Sequence, residues 1–289
     1  EIWNEPDLDK KTWTGTKEEF FEFFKVAITH LKTRFPHLKI GGPAMAHPFR
    51  WKDFFIPACA KEKIPLDFYS WHRYVSDARE ASRLGRQVRE YLDKHGYEKT
   101  ESIYNEWNYV YGWRGANWRY SRQVESGAYN QKAAAYAAAM MVECQNSPID
   151  MAMYYDVRTY GGMNILFESI THQPMRGYYP FYAWGRMLKD YPEQIKCTLA
   201  PNGKKLNDLF AVAARSKTGK LALYISRYTN DDNVRNDILV RLNLPKATRY
   251  RCHLTDDWRI YTEHPLEAIS DGAIELTLVP SSFAFIEVE

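Results

Sequence analysis

Cysteine is scarce in this 289-residue chain, and the four that occur, Cys59, Cys144, Cys197 and Cys252, are far apart. None has the short Cys/Cys or Cys/His spacing of a metal knuckle, which argues against a structural zinc site. Cys59 and Cys144 fall in helical stretches and read as buried thiols. A Cys197–Cys252 bridge stays open from sequence, and the redox compartment with it. No apolar run approaches the roughly 20 residues of a spanning helix, and no secretory leader opens the chain. Because residue 1 already lies inside a strand-like motif, the natural N-terminus is expected upstream, and localisation stays open. Charge of one sign is missing too: the net value is +3, with Lys and Arg spread along the chain. Neither a nucleic acid nor a membrane is therefore an expected partner. Internal repeats and low-complexity segments are absent.

Aromatics are abundant: nine Trp, 21 Tyr and 14 Phe. Such an excess suits a protein that stacks flat ligands, and it equally suits an aromatic core. Up to about residue 193, short apolar strands alternate with helical stretches, the pattern of βα units on a parallel sheet. The expected strands are Ile2–Glu5, Lys39–Gly42, Asp67–His72, Ser102–Glu106 and Met151–Asp156. Thr16 stands three residues before Glu19, a capping-box spacing, and apolar residues at helical intervals follow. Further helices are expected over about 51–63, with Pro57 a kink or late boundary, over 77–95 ending at Gly96, across "NQKAAAYAAAMMVECQN", and over 181–191. After Pro192 the rhythm becomes period two, as in "DLFAVAARS", "KLALYISRY", "DILVRLNL", "AIELTLV" and "FAFIEVE". Turn signals at Thr218-Gly219 and Asp271-Gly272 break it, and an antiparallel β-sandwich is expected. The fold class is thus α/β over 1–193 followed by an all-β domain over 194–289.

Two motifs carry chemistry, "IWNEP" at 2–6 and "YNEW" at 104–107. Each is a short apolar run ending in Asn-Glu at the C-terminal end of an expected parallel strand, where functional side chains of parallel α/β barrels sit. If the sheet curves, Glu5 and Glu106 aim at one pocket and can flank one bond. Glycoside hydrolysis needs such a pair, one carboxylic acid to protonate the leaving oxygen and one carboxylate to attack the sugar carbon. Burial and mutual repulsion would keep one of them protonated. Each glutamate alone also suits a plain structural role, as a loop cap or an ion-pair partner. It is the pair that favours catalysis.

"EIWNEPDL", "KIGGPA", "DFYSWHRY" and "IYNEWN", in this order, resemble strands four to seven of the retaining glycoside hydrolases of the large (β/α)8 clan. The "GGPA" and Ser-x-His-x-Tyr motifs make the chain most similar to glycoside hydrolase family 39, which holds β-xylosidases and α-L-iduronidases. The resemblance implies a TIM barrel, an oligosaccharide or glycoside substrate, and no metal or organic cofactor. By it, Glu5 matches the acid/base and Glu106 the nucleophile. Asn4 matches a residue bonding the sugar 2-hydroxyl, and His72 and Tyr74 match residues lining the subsite and orienting the nucleophile. Trp107, beside Glu106, joins the substrate-binding set. "YRCHLTDDWRIYTEHP" and "VPSSFAFIEV" resemble the β-sandwich accompanying that barrel.

The resemblance also implies three βα units ahead of "IWNEP" that this chain does not contain. A partial TIM barrel, strands four to eight, is therefore expected, with unpaired sheet edges. A second copy or a missing N-terminal half would cover them, and hydrolase activity of this chain alone is expected to be impaired. Tyr155 stands where family xylosidases carry a tryptophan platform, and it is a candidate to stack a sugar face. The segment 107–130, with Trp113, Arg114, Trp118 and Arg119, is expected to be a long loop that shapes subsites and favours an anionic sugar. Two other readings stay open, a non-catalytic carbohydrate-binding remnant and an endo-glycanase of the same clan.

Overall fold

The computed structural model describes residues 1–8, 10–126, 130–200, 207–244, 249–269 and 272–289. It divides into two compact units, Glu1–Val75 with Arg79–Asn108 and Cys144–Tyr155, and Ser76–Ala78 with Tyr109–Glu143 and Asp156–Glu289.

The first unit holds a parallel sheet in the order β1 (Gly41–Met45), β2 (Phe68–His72), β3 (Glu101–Trp107), β4 (Met151–Tyr154). Helix α1 (Lys17–Arg34) starts where its capping box requires: the Thr16 hydroxyl accepts from Glu19 N at 3.1 Å, and Thr16 N donates to the Glu19 carboxylate at 2.7 Å. Its buried stripe is Phe20, Phe21, Phe24 and Ile28, one face of a 3.6-residue period. Helix α2 (Phe55–Lys61) begins later than expected, so Pro57 falls in the first turn, where a missing N–H costs no helical bond. Helix α3 (Arg79–Lys94) is followed by Gly96 at φ 82°, a conformation that glycine adopts without strain.

The expected strand Ile2–Glu5 is not regular. Ile2 N donates to Gly41 O at 2.9 Å and Glu5 N to Ala44 O at 2.8 Å, so the segment does run beside β1. Trp3 at φ 70° and Glu5 at φ 49° leave the extended region and interrupt the ladder. At the other edge, Met151 and Met153 of β4 are exposed.

In the second unit, helices α4 (Gly115–Ser126), most of α5 (Asn130–Gln145) and α6 (Tyr178–Asp190) accompany antiparallel strands. Side chains show why α5 and α6 group there: Ser226 Oγ donates to Ala135 O at 2.7 Å, and the Tyr224 hydroxyl to Pro180 O at 3.2 Å. The strands are β5 (Glu193–Ile195), β6 (Leu209–Arg215), β7 (Leu221–Arg227), β8 (Ile238–Asn243), β9 (Arg249–Thr255), β10 (Thr262–Ala268), β11 (Ala273–Leu278) and β12 (Ser282–Val288). They form a six-stranded sheet, β10-β9-β12-β7-β6-β5, and a ribbon, β11-β8. Leu223, Ile225, Leu254 and Ile286 of the sheet share one apolar core with Ile274 and Leu278 of the ribbon. All five expected period-two segments are strands. Gly219 supplies its turn at φ 89°, and of the second turn only Gly272 is described, Asp271 lying outside the described residues. Cys197 and Cys252 are free thiols and form no bridge. The expected 107–130 loop carries α4, and its residues 127–129 lie outside the described residues.

Candidate active site

Glycines place Glu5. A β-carbon on Gly41 would lie 2.1 Å from Phe68 O, and one on Gly42, at φ 145°, would lie 2.7 Å from Ile2 O. Side chains there would push β2 away on one side and the Ile2–Glu5 segment on the other. The "GGPA" motif is thus a close-approach device, and it lets Glu5 N reach Ala44 O.

Glu106 is aimed by a bulge. Trp71 pairs with Tyr104, yet the next residue, His72, pairs with Glu106, and the β3–β4 register shifts over the same stretch. Asn105 is the extra residue. Up to that point the register is clamped by the Trp71 and Tyr104 rings, stacked 4.1 Å apart at 11°. Regular alternation would leave Glu106 on the face of Tyr104; the inserted residue turns it to the face of His72.

The result is a three-residue cluster. His72 Nδ1 lies 2.8 Å from Glu5 Oε1 and 3.4 Å from Glu106 Oε2. One donor atom from each of Glu5, His72 and Glu106 lies within 4.8 Å of the others. Tyr74 donates its hydroxyl to Glu106 Oε2. Glu5 and Glu106 belong to segments three apart in the sheet, which would separate them by about 14 Å were it flat. Their convergence, and the bond from Asn105 Nδ2 to the Glu1 carboxylate at 2.9 Å, mark a concave face.

Burial pushes the Glu106 carboxyl above its ordinary range; the neighbouring His72 and the Tyr74 hydrogen bond pull it back, and Glu5 adds to the rise. Burial and the carboxylate partner raise the Tyr74 phenol far above its usual value, so it remains a donor. His72 is buried, and its Nε2 has no hydrogen-bond partner among the described residues. The proton therefore belongs on Nδ1, where the Glu5 carboxylate accepts it and Glu106 Oε2 stands 3.4 Å away. The same three residues are the described grouping whose donor atoms could hold a metal ion. A metal on Nδ1 would move the proton to Nε2, where no acceptor stands among the described residues, so the donor set fits a proton on Nδ1 better than an ion.

Asn4 is exposed beside Glu5, and Tyr155 is half-buried with its ring edge-on to Tyr74 at 6.3 Å. Trp107 departs from its expected place. It is 2% exposed with its ring 5.1 Å from Tyr154, so it packs in the wall and presents no open face to a sugar. Trp113 and Trp118 stack on each other at 5.4 Å. Sequence reasoning missed Asp7, a buried carboxylate two residues beyond Glu5, because a lone acid after Asn-Glu-Pro carries no spacing signal.

Several solved structures share the fold. A glucosidase from Croceicoccus marinus superposes with a TM-score of 0.74 at 21% identity, over 99% of this chain and 67% of that one. A family 39 β-xylosidase from Caulobacter crescentus gives 0.69 at 16% identity, over 100% and 66%. Two curated relatives are β-xylosidases. That of Caldicellulosiruptor saccharolyticus is 42% identical over 81 residues, and that of Geobacillus stearothermophilus 38% over 79. Each alignment spans 27% of this chain and only 16% of the relative. Residues 1–158, more than half of the chain and including the whole Glu5–His72–Glu106 cluster, match the model of the glycosyl hydrolases family 39, and the chain belongs to that family.

Proposed function

We propose that this chain carries the catalytic pair of a retaining glycoside hydrolase that releases terminal xyloside- or uronide-type sugars by double displacement. The observation that supports it most is the spacing of the two carboxylates. Oxygens within 4.8 Å suit direct attack at the sugar carbon, whereas inverting enzymes hold their carboxyls about 6.5–9.5 Å apart to admit a water. Glu5 protonates the leaving oxygen and Glu106 attacks to form the glycosyl-enzyme. Glu5 then takes a proton from the water that releases the sugar. Tyr74 and His72 hold Glu106 as an oriented, ionised nucleophile, and Asn4 and Tyr155 line the sugar site.

The concave four-stranded sheet supports reading the first unit as part of a (β/α)8 barrel, accompanied by a β-sandwich. Two exposed edges follow from that reading, the Ile2–Glu5 segment and β4, and a second copy or an N-terminal half would cover them. Turnover by this chain alone is accordingly expected to fall well below that of the full-length protein.

Incubating the full-length protein with a 2-deoxy-2-fluoro xyloside bearing an activated leaving group, followed by peptide mass spectrometry, tests the assignment. A covalent sugar on the peptide containing Glu106 is expected. A label on another residue, or hydrolysis without a trapped intermediate, would refute it.

A further inference from the structure

We propose that Asp7 is a positioning residue, holding Glu5 in the conformation that brings its carboxylate to Glu106. The inference rests on reading Glu5 as the acid/base. Glu5 sits at φ 49°, in the left-handed region, and immediately precedes Pro6. A residue before proline is pushed towards extended backbone, and a non-glycine residue in the left-handed region persists only where its surroundings hold it. Three bonds to its backbone grip Glu5 itself: its N–H donates to Ala44 O at 2.8 Å, and its carbonyl accepts from Leu8 N at 3.0 Å and from the Thr12 hydroxyl. The anchor beyond the proline is Asp7. The residue is 1% exposed, and its carboxylate accepts from Ala46 N at 2.8 Å and His47 N at 3.2 Å. Its carbonyl accepts from Arg50 Nη1 at 2.7 Å, and Arg50 Nε stands 3.7 Å from its carboxylate. Asp7 thus ties the segment after Glu5 to the segment after β1, whose Ala44 carbonyl holds Glu5 from the other side. With both ends pinned, the Pro6 linkage cannot let Glu5 relax to negative φ.

Leaving-group dependence separates this role from plain stabilisation. An acid catalyst matters for a basic leaving group and hardly at all for an acidic phenol. In the full-length protein, Asp7→Ala is expected to lower kcat/KM for an alkyl xyloside about a hundredfold. For the dinitrophenyl xyloside the expected loss is less than about threefold, with azide accelerating release of the glycosyl-enzyme. Equal losses on both substrates, or no loss on either, would overturn the proposal. Asp7→Asn keeps one acceptor for Ala46 N but sets an amide donor against His47 N, and the same split is expected at smaller size. Should the wild-type protein cleave neither glycoside, the hydrolase reading fails by itself, and positioning is then judged in a crystal structure of Asp7→Asn. Glu5 at negative φ with its carboxylate withdrawn from Glu106 supports the positioning role; an unmoved Glu5 overturns it.

Discussion

The two units solve opposite problems with β-structure. In the second, β7 pairs with β6 and with β12 through seven consecutive residues each, without interruption, and the sheet face beneath is aliphatic. In the first, every strand pair of the parallel sheet contains a register shift, and the one between β2 and β3 falls between Trp71 and His72, at the cluster itself. Positive φ at Trp3, Glu5 and Ala44 gathers in the same unit. An unbroken ladder maximises paired backbone and buried apolar area, and it can only repeat its side-chain alternation. A site that must gather side chains from three segments needs breaks in that alternation, held open by well-packed neighbours. The stacked Trp71 and Tyr104 rings supply that support one residue before the break.

The largest expected effect lies at the broken ladder. Glu106→Gln in the full-length protein should lower kcat on the order of 10^4-fold or more while leaving the unfolding midpoint near wild type. Retention of more than a tenth of the activity would remove Glu106 from the reaction.

The regular ladder should answer in the opposite currency. Ile286 is fully buried in the second-unit core, and Ile286→Ala should cost about 3 kcal/mol of stability in denaturant melts. Its kcat, measured well below the melting range, should not change. A large fall in kcat would couple the two units more tightly than this contrast allows.

Much of this contrast could be read in the sequence, and the part that could not has physical causes. Alternation and helical period marked β2, β3, β4 and α1, because burial on one face imposes a period that composition records. The pairing of Glu5 with Glu106 was likewise legible, since both end apolar runs in Asn-Glu. The bulge at Asn105 was not: an inserted residue changes register without changing residue types. Nor was the left-handed Glu5, because a residue before proline is expected to be extended. Helix α4 hid in an aromatic stretch that lacks an apolar stripe. Trp107 was expected among the substrate-binding residues, yet the bulge that turns Glu106 towards His72 leaves Trp107 packed on Tyr154.

A smaller effect probes the close approach that admits Glu5. At Gly42, a methyl group would meet Ile2 O at 2.7 Å, so Gly42→Ala should displace the Ile2–Glu5 segment. The expected cost is about a hundredfold in kcat/KM, in keeping with a displacement of roughly 1 Å at a catalytic group. Wild-type kinetics in this variant would show that the segment is held by other means.

Smaller again is a pH effect away from the cluster. Glu125 in α4 is fully buried, and burial pushes its carboxyl up to about 9, with Arg122 opposing and Asp156 reinforcing the rise. Below its ordinary value of 4.5 the group is protonated both folded and unfolded. Between 4.5 and about 9 the folded chain keeps a proton that the unfolded chain has released, so stability falls as pH rises through that window. Glu125→Gln is uncharged throughout, so it should be about 2 kcal/mol more stable than wild type at pH 8 and no more stable at pH 4. Equal effects at both pH values would contradict the buried, protonated state.

The finest adjustment is Tyr74→Phe. Its hydroxyl lowers the Glu106 carboxyl, so its loss should move the acid limb of the kcat/KM profile to higher pH, by about one unit or less. A shift towards lower pH would reverse the assigned role.

The central claim is that Glu5 and Glu106 form a retaining pair, and the stereochemistry of the first product tests it most directly. Proton NMR of the full-length protein cleaving a β-xyloside should show β-xylose appearing first and mutarotating afterwards. If α-xylose appears first, water and not Glu106 attacks the sugar, and the double-displacement account is wrong.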